Sequence, residues 1–420
     1  MVPKGWSSSQ LGEIMSFKNG LNFTKTDNGD SVKIVGVGDF KDLSELSSTE
    51  HLELISVAGR IRDEELLNNG DLLFVRSNGN KDLIGRCMFF PEVRERLSFS
   101  GFTIRGRVIN ESTLPAYMAI VARSSQFQMQ ISKASGGTNI SNLSQQILND
   151  INLLLPPLIE QKKIAEILST WDKAISVTEK LLANSQQQKK ALMQQLLTGK
   201  KRLLDENGVR FSGEWEYTIF GNLGDTYTGL TGKTKEDFGA GKPYIPYINI
   251  FKNSRIDIQN LEYVQVNDDE RQSVVKYGDI FFTTSSETPE EVGMSSVLLE
   301  EVSEVFLNSF CFGFRLNNFE TLIPKYARYL FRSEHVRRQI STLGQGATRY
   351  NLSKRQLIKL ELKLPCVEEQ QKIAAVLSAA DAEISTLEKK LACLRDEKKA
   401  LMQQLLTGKR RVKVDEAVAE

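Results

Sequence analysis

Residues 155–202 read LPPLIEQKKIAEILSTWDKAISVTEKLLANSQQQKKALMQQLLTGKKR, and residues 364–411 read LPCVEEQQKIAAVLSAADAEISTLEKKLACLRDEKKALMQQLLTGKRR. They align without a gap at an offset of 209, with 29 of 48 positions identical and ALMQQLLTGK repeated at 191–200 and 400–409. Such a match marks an internal duplication. The repeated segment reads as a long helix. Pro156-Pro157 and Pro365 stand where proline precedes a helix, and Gly199 and Gly408 where a left-handed C-terminal cap belongs. Basic residues follow each glycine, at the negative end of the helix dipole. The intervening ~40 residues span roughly 60 Å at a helical rise of 1.5 Å per residue. A four-three spacing runs through Ile164, Leu168, Trp171, Ile175, Thr178, Leu182, Ser185, Lys189, Leu192 and Leu196. Its counterpart runs through Ile373, Leu377, Ala380, Ile384, Leu387, Leu391, Leu394, Lys398, Leu401 and Leu405. A mostly apolar seam at this spacing predicts a coiled coil between the two helices. The simpler alternative is that each helix packs only on its own globular domain.

The same register extends upstream. Trp6 falls on Trp215, Gly20-Leu21 on Gly229-Leu230, Pro115 and Tyr117 on Pro324 and Tyr326, and Asn142-Leu143-Ser144 on Asn351-Leu352-Ser353. Gly70-Asp71 matches Gly278-Asp279 at an offset of 208, so short insertions and deletions separate otherwise equivalent halves. The variable parts hold short β-like runs, such as Val32 to Val37, Leu72 to Val75, Ile280 to Thr283 and Phe312 to Leu316. Each continues into one helix-like stretch (114–133 and 323–342) and a glycine-rich loop (SGGTN at 135–139, GQGATR at 344–349). A closing strand follows, with alternating Ile151, Leu153, Leu155 or Leu360, Leu362, Leu364. The expected architecture is α+β: a globular domain over 1–154, a long helix over 155–206, a second domain over 207–363, and a distal helix and tail over 364–420. Antiparallel packing of the helices would relate the halves by a pseudo-two-fold axis.

Composition narrows the function. The 420 residues carry 54 Lys+Arg against 53 Asp+Glu, a net charge of +1, with 40% apolar and 25% charged residues. This is ordinary for a globular chain and excludes wholesale disorder. No apolar run approaches the roughly 18 residues that span a bilayer. Cys87, Cys311, Cys366 and Cys393 form no CxxC pair, which predicts a reduced, cytoplasmic protein without a cysteine metal site. Only two histidines, His51 and His335, leave little material for a catalytic dyad. GLTGKT at 229–234 fails as a phosphate loop, because its first glycine would sit at Tyr227. FGNLGD at 220–225 follows no strong strand. Leu155-Pro156-Pro157-Leu158 lacks the polar amide and the aromatic of an adenine methyltransferase motif. Asp396, Glu397 and Lys398 sit on a coiled-coil helix, where they read as a solvated face. The sequence predicts a non-catalytic chain with no metal or cofactor of its own.

Two variable domains alternating with two near-identical helices resemble the specificity subunit of type I restriction–modification enzymes. The most telling strings are Glu160-Gln161…Lys163-Ile164-Ala165 and Glu369-Gln370…Lys372-Ile373-Ala374, with LMQQLLTGK closing each helix. The resemblance implies that each variable domain reads one half of a bipartite DNA target. It implies that the helices set the spacer and dock two DNA-methyltransferase subunits, and that restriction/translocase subunits join them. S-adenosylmethionine, and ATP with Mg, are then expected on those partners. A different class of function, a coiled-coil adaptor that only bridges proteins, accounts less well for two divergent heads on matching helices. An enzyme with unfamiliar chemistry is the third reading.

If matching positions carry framework, differing polar loops carry the half-sites. After the paired Gly-Asp turn the first half offers Arg76, Asn78, Asn80 and Lys81, and the second Thr283, Ser285 and Ser286. Arg bonds guanine, and Asn adenine, in a bidentate way. The glycine loops add Thr138 and Asn139 against Thr348 and Arg349. Lys25, Lys233 and Lys235, after the paired Gly-Leu, are candidate phosphate contacts. An ordinary polar loop or solvated charge is the plain alternative at each.

Overall fold

The computed structural model describes residues 2–22, 25–40, 45–46, 48–134, 142–346 and 348–414, with the backbone alone for 25–28. It divides into two compact units, Met1–Glu179 with Lys390–Glu420, and Lys180–Lys389. Each unit holds one variable domain and a segment of both long helices, which cover Leu158–Leu196 and Val367–Leu406. Compactness therefore cuts across the boundaries drawn along the sequence. The cause is that a segment of one helix pairs with the returning segment of the other.

In the first unit that pairing is antiparallel: Asp172 meets Lys398, and Arg395 reaches Glu179 at 2.7 Å. In the second unit Lys189 pairs with Asp381, and the Ser185 hydroxyl donates to Glu383 at 3.2 Å. Of the seam residues, Ile164, Leu168, Ile373, Leu377 and Leu391 are buried, and Trp171, Ile175, Leu182, Ile384 and Leu394 are half-buried. Thr178 and Ser185 are buried too, so the seam tolerates small polar residues. Gly199 and Gly408 adopt φ of 70° and 67°, and the N–H groups of Lys201 and Arg410 donate to the Gln195 and Gln404 carbonyls. Both helices thus end in the left-handed cap that glycine permits.

The variable domain of the first unit has a four-stranded sheet ordered Met15–Asn19, Thr103–Val108, Asp71–Val75 and Cys87–Phe90. A three-stranded sheet ordered Leu54–Val57, Lys25–Val35 and Leu97–Phe99 adjoins it, with a parallel pair between the last two. Ser7–Gln10 pairs with the closing strand Asn152–Leu155. The second unit repeats this scheme. Gly224–Thr228, Cys311–Leu316, Ile280–Thr283 and Ser295–Val297 form its four-stranded sheet. Glu262–Val264, Phe238–Ile245 and Phe306–Leu307 form its three-stranded one, and Glu216–Ile219 pairs with Glu361–Leu364. The registers correspond: Leu72 faces Gly106 as Ile280 faces Phe314.

Each helix-like stretch proves to be two helices, Pro115–Ala122 with Ser125–Ala134, and Pro324–Leu330 with Glu334–Thr342. Serine makes the break. The Ser333 hydroxyl caps the Val336 N–H, and the Ser124 hydroxyl accepts from the Phe127 N–H.

The repeated Glu-Gln string closes each unit. In the second, Arg202 binds the buried Glu369 through Nε and Nη2, both at 2.7 Å, and the Trp215 indole donates to the same carboxylate. In the first, Arg411 and the Trp6 indole bind Glu160 alike. Each pairing holds its guanidinium above the ordinary arginine value. Gln161 accepts from the Leu114 N–H and donates to the Ser112 and Pro156 carbonyls; Gln370 does the same with Ile323, Thr321 and Pro365. Helix start, helix end and variable domain are thereby locked together.

Candidate nucleic-acid interface

The candidate loops leave the sheet from a fixed root. Gly70 and Gly278 both turn at φ 86°, where a left-handed conformation favours glycine. The buried Asp71 then takes Arg107 Nε and Nη2 at 2.7 Å each, and the buried Asp279 takes Arg315 at 2.8 and 2.6 Å. Both guanidinium groups are held above their ordinary value by these carboxylates. Tyr227 donates to Asp279 at 2.5 Å, and its hydroxyl is pushed well up by burial and that charge. With the root fixed, the loops can differ without disturbing the sheet.

In the first unit the Arg76 N–H donates to the Phe102 carbonyl at 2.8 Å and the Arg76 carbonyl accepts from the Leu143 N–H. Its half-buried guanidinium reaches the Gly101 carbonyl at 3.4 Å. The Asn78 side-chain oxygen accepts from the Asn80 N–H, and that of Asn80 from the Asp82 N–H, so both asparagines shape the loop through their oxygens. Lys81 is exposed. A cleft of about 560 Å³ opens beside this loop, lined by Ile34, Asp39, His51, Asn78, Ser100 and Phe102 among others. The side chain of Lys25, and Thr138 and Asn139, lie outside the described residues.

In the second unit the loops come together. Ser285-Ser286 pairs antiparallel with Tyr350-Asn351, Ser286 facing Tyr350, which brings the exposed Thr348 and Arg349 to the Ser286 end of the pair. Gly346 makes this possible: at φ 138° a Cβ there would stand 2.0 Å from the Arg349 carbonyl oxygen. Tyr247 donates to the Ser285 carbonyl at 3.0 Å. Thr283 does not reach the surface; it is fully buried, and its hydroxyl accepts from the Met294 N–H. Ser286 is also buried and donates to Glu291. Lys233 is occupied by Glu270 at 2.6 Å and holds that carboxyl at about 2. Lys235 is exposed. Of the second-half candidates, Ser285, Thr348, Arg349 and Lys235 are therefore the ones presented outward.

Two residues escaped the sequence reading. Phe102 and Phe310 are 62% and 64% exposed, each at the turn that enters the strand Thr103–Val108 or Cys311–Leu316. They match at an offset of 208, the signal that identifies them once the halves are aligned strand by strand.

The family model described as the type I restriction modification DNA specificity domain matches residues 3–184 and again 213–394. The MjaVIII type I restriction enzyme specificity subunit of Methanocaldococcus jannaschii is 24% identical over 432 residues, covering 98% of this chain and 94% of that one. The EcoKI specificity subunit of Escherichia coli K12 is 23% identical over 424 residues, covering 93% and 85%. Among solved structures, a chain from the complex of a type I R-M system superposes with a TM-score of 0.59 at 17% identity, covering 98% and 100%. The S subunit from M. genitalium gives 0.55 at 13% identity, covering 96% of each chain. With its two matched domains and its repeated helices, the chain belongs to the type I restriction–modification DNA specificity family.

Proposed function

We propose that this chain is the DNA-reading subunit of a type I restriction–modification assembly, acting in the cytoplasm and carrying no reaction centre of its own. The observation that carries the reading is the contrast within the duplication. Two heads share the four-stranded sheet, the three-stranded sheet, the closing strand pair and the buried Asp–Arg root, yet differ in the loops those roots hold out. A bridging scaffold has no use for that difference; a reader of two unlike half-sites requires it. Arg76 and Asn78 in the first head, and Ser285, Thr348 and Arg349 in the second, are the residues assigned to the DNA surface. The long helices are assigned to spacer length and to docking two methyltransferase subunits, with restriction/translocase subunits completing the assembly. The methyl donor, ATP and Mg are assigned to those partners.

The test is to co-express the chain with a cognate adenine methyltransferase subunit and map the host's methylated bases. A bipartite motif that vanishes without this chain supports the reading. Methyltransferase or nuclease activity from the isolated chain, or a methylation pattern indifferent to it, overturns it. Arg76→Ala should weaken or relax one half of the motif, and Arg349→Ala the other.

A further inference from the structure

The turn that carries Phe102 is fixed from several sides. The Leu21 N–H donates to the Phe99 carbonyl, the Gly101 N–H to the Leu21 carbonyl, and the Arg76 N–H to the carbonyl of Phe102 itself. The turn of Phe310 is held alike: the Leu230 N–H donates to the Leu307 carbonyl, while the Thr284 N–H and hydroxyl both donate to the Phe310 carbonyl at 3.0 and 2.7 Å. The paired Gly20 and Gly229 are explained by these turns. A Cβ at Gly20 would stand 2.1 Å from the Ser100 carbonyl oxygen, and one at Gly229 2.0 Å from that of Asn308. Two rigid turns thus each hold out one large apolar side chain, forgoing the stabilisation that burying it would bring.

The neighbours of the two rings differ. Phe102 follows Ser100-Gly101 and faces the Arg76 strand end; Phe310 follows Asn308-Ser309 and faces Thr284. If this face docked two copies of one protein partner, the residues around each ring would be expected to match. Instead, beyond the Gly-Leu pair that supports each turn, only the ring is common to both, amid residues that diverge. A group shared by two readers of unlike sequences must contact what unlike sequences share, and every nucleobase offers a π-face.

We infer that Phe102 and Phe310 are DNA-contacting residues that stack on or wedge against the bases of each half-site, independently of its sequence. The inference rests on the proposed DNA-reading role. Apolar side chains inserted beside base steps open the stack and bend the duplex, and one stacking contact is worth about 1–3 kcal/mol, roughly a fivefold to hundredfold change in binding.

The experiment uses the complex of this chain with methyltransferase subunits and duplexes carrying the mapped motif, with 2-aminopurine beside each half-site. Phe102→Ala and Phe310→Ala should each lower specific-DNA affinity and methylation rate about tenfold and reduce the 2-aminopurine fluorescence change at their own half-site. Phe→Trp at either position should retain both, and the methylated motif should not change. Co-purification with methyltransferase subunits and an unaltered melting temperature establish that each variant is folded and assembled. Three results overturn the inference: affinity and rate within twofold of the parent, an altered motif, or loss of methyltransferase binding in a variant that still melts normally. If the parent chain directs no bipartite motif at all, the DNA-reading role itself falls.

Discussion

At the scale of single residues, the Glu–Trp–Arg clusters set the firmness of each unit. Glu369 has no exposed side-chain surface and Arg202 only 20%, whereas Arg411, the partner of Glu160, is 41% exposed. Removing one partner of a buried pair leaves an uncompensated group, at a cost of about 3 kcal/mol where solvent is excluded and less where it enters. Glu369→Ala should therefore lower the melting temperature more than Glu160→Ala, with the loss mapping by hydrogen exchange to the unit that contains it. The Lys233–Glu270 contact gives a pH signature. Lys233 and the Asn267 N–H hold the Glu270 carboxyl at about 2, below its ordinary value near 4.5. A depressed carboxyl contributes stability that is complete above the ordinary value and is lost as pH falls towards 2. An NMR titration should place Glu270 near 2 in the parent and higher in Lys233→Ala, still below the ordinary value because the Asn267 N–H and the Gln272 amide continue to donate to it.

At the scale of elements, the two copies of one helix pair are not equally tied to their domains. Asp381 receives Lys189, Arg328 at 2.6 Å and the Tyr329 hydroxyl at 2.7 Å. Asp172, its equivalent, receives Lys398, and Ala119 and Ile120 stand where the second unit has Arg328 and Tyr329. A partly exposed single pair contributes under about 1 kcal/mol, and hydrogen bonds to a charged group about 1.5–3 kcal/mol each. Asp381→Ala should destabilise the second unit clearly in thermal unfolding, while Asp172→Ala should shift the first only slightly. Much of this level was legible beforehand. The strand runs, the closing strands with inward Leu153, Leu155, Leu362 and Leu364, and the long helices were fixed by local periodicity. The split of each helix-like stretch was not, because a continuous apolar pattern conceals a capping serine whose hydroxyl turns to the next helix.

At the scale of the whole molecule, the balanced charge bears on DNA affinity. A net charge of +1 supplies little phosphate neutralisation, so the isolated chain should bind DNA modestly and with strong salt sensitivity. Tight specific binding should require methyltransferase subunits; nanomolar specific binding by the lone chain at physiological salt would contradict this. Exchanging residues 207–363 for the equivalent domain of a relative should replace one half of the methylated motif and leave the other. Lengthening both helices by seven residues adds about 10 Å, and the spacer in the motif should grow while both halves persist.

The sequence by itself determined the duplication, the helices with their proline starts and glycine ends, and the framework that both halves share. These are local or periodic properties, and a repeat displays them twice. Tertiary structure alone decided which loop residues face outward. Thr283 is buried by its strand neighbours, Lys233 is taken by a carboxylate 37 positions away, and Arg349 is brought to the end of Ser285-Ser286 by a strand pair. The Glu160 cluster closes across 154 and 251 residues. Exposure and pairing depend on what the fold brings near, so the exposed Phe102 and Phe310 emerged only when the strands were laid side by side.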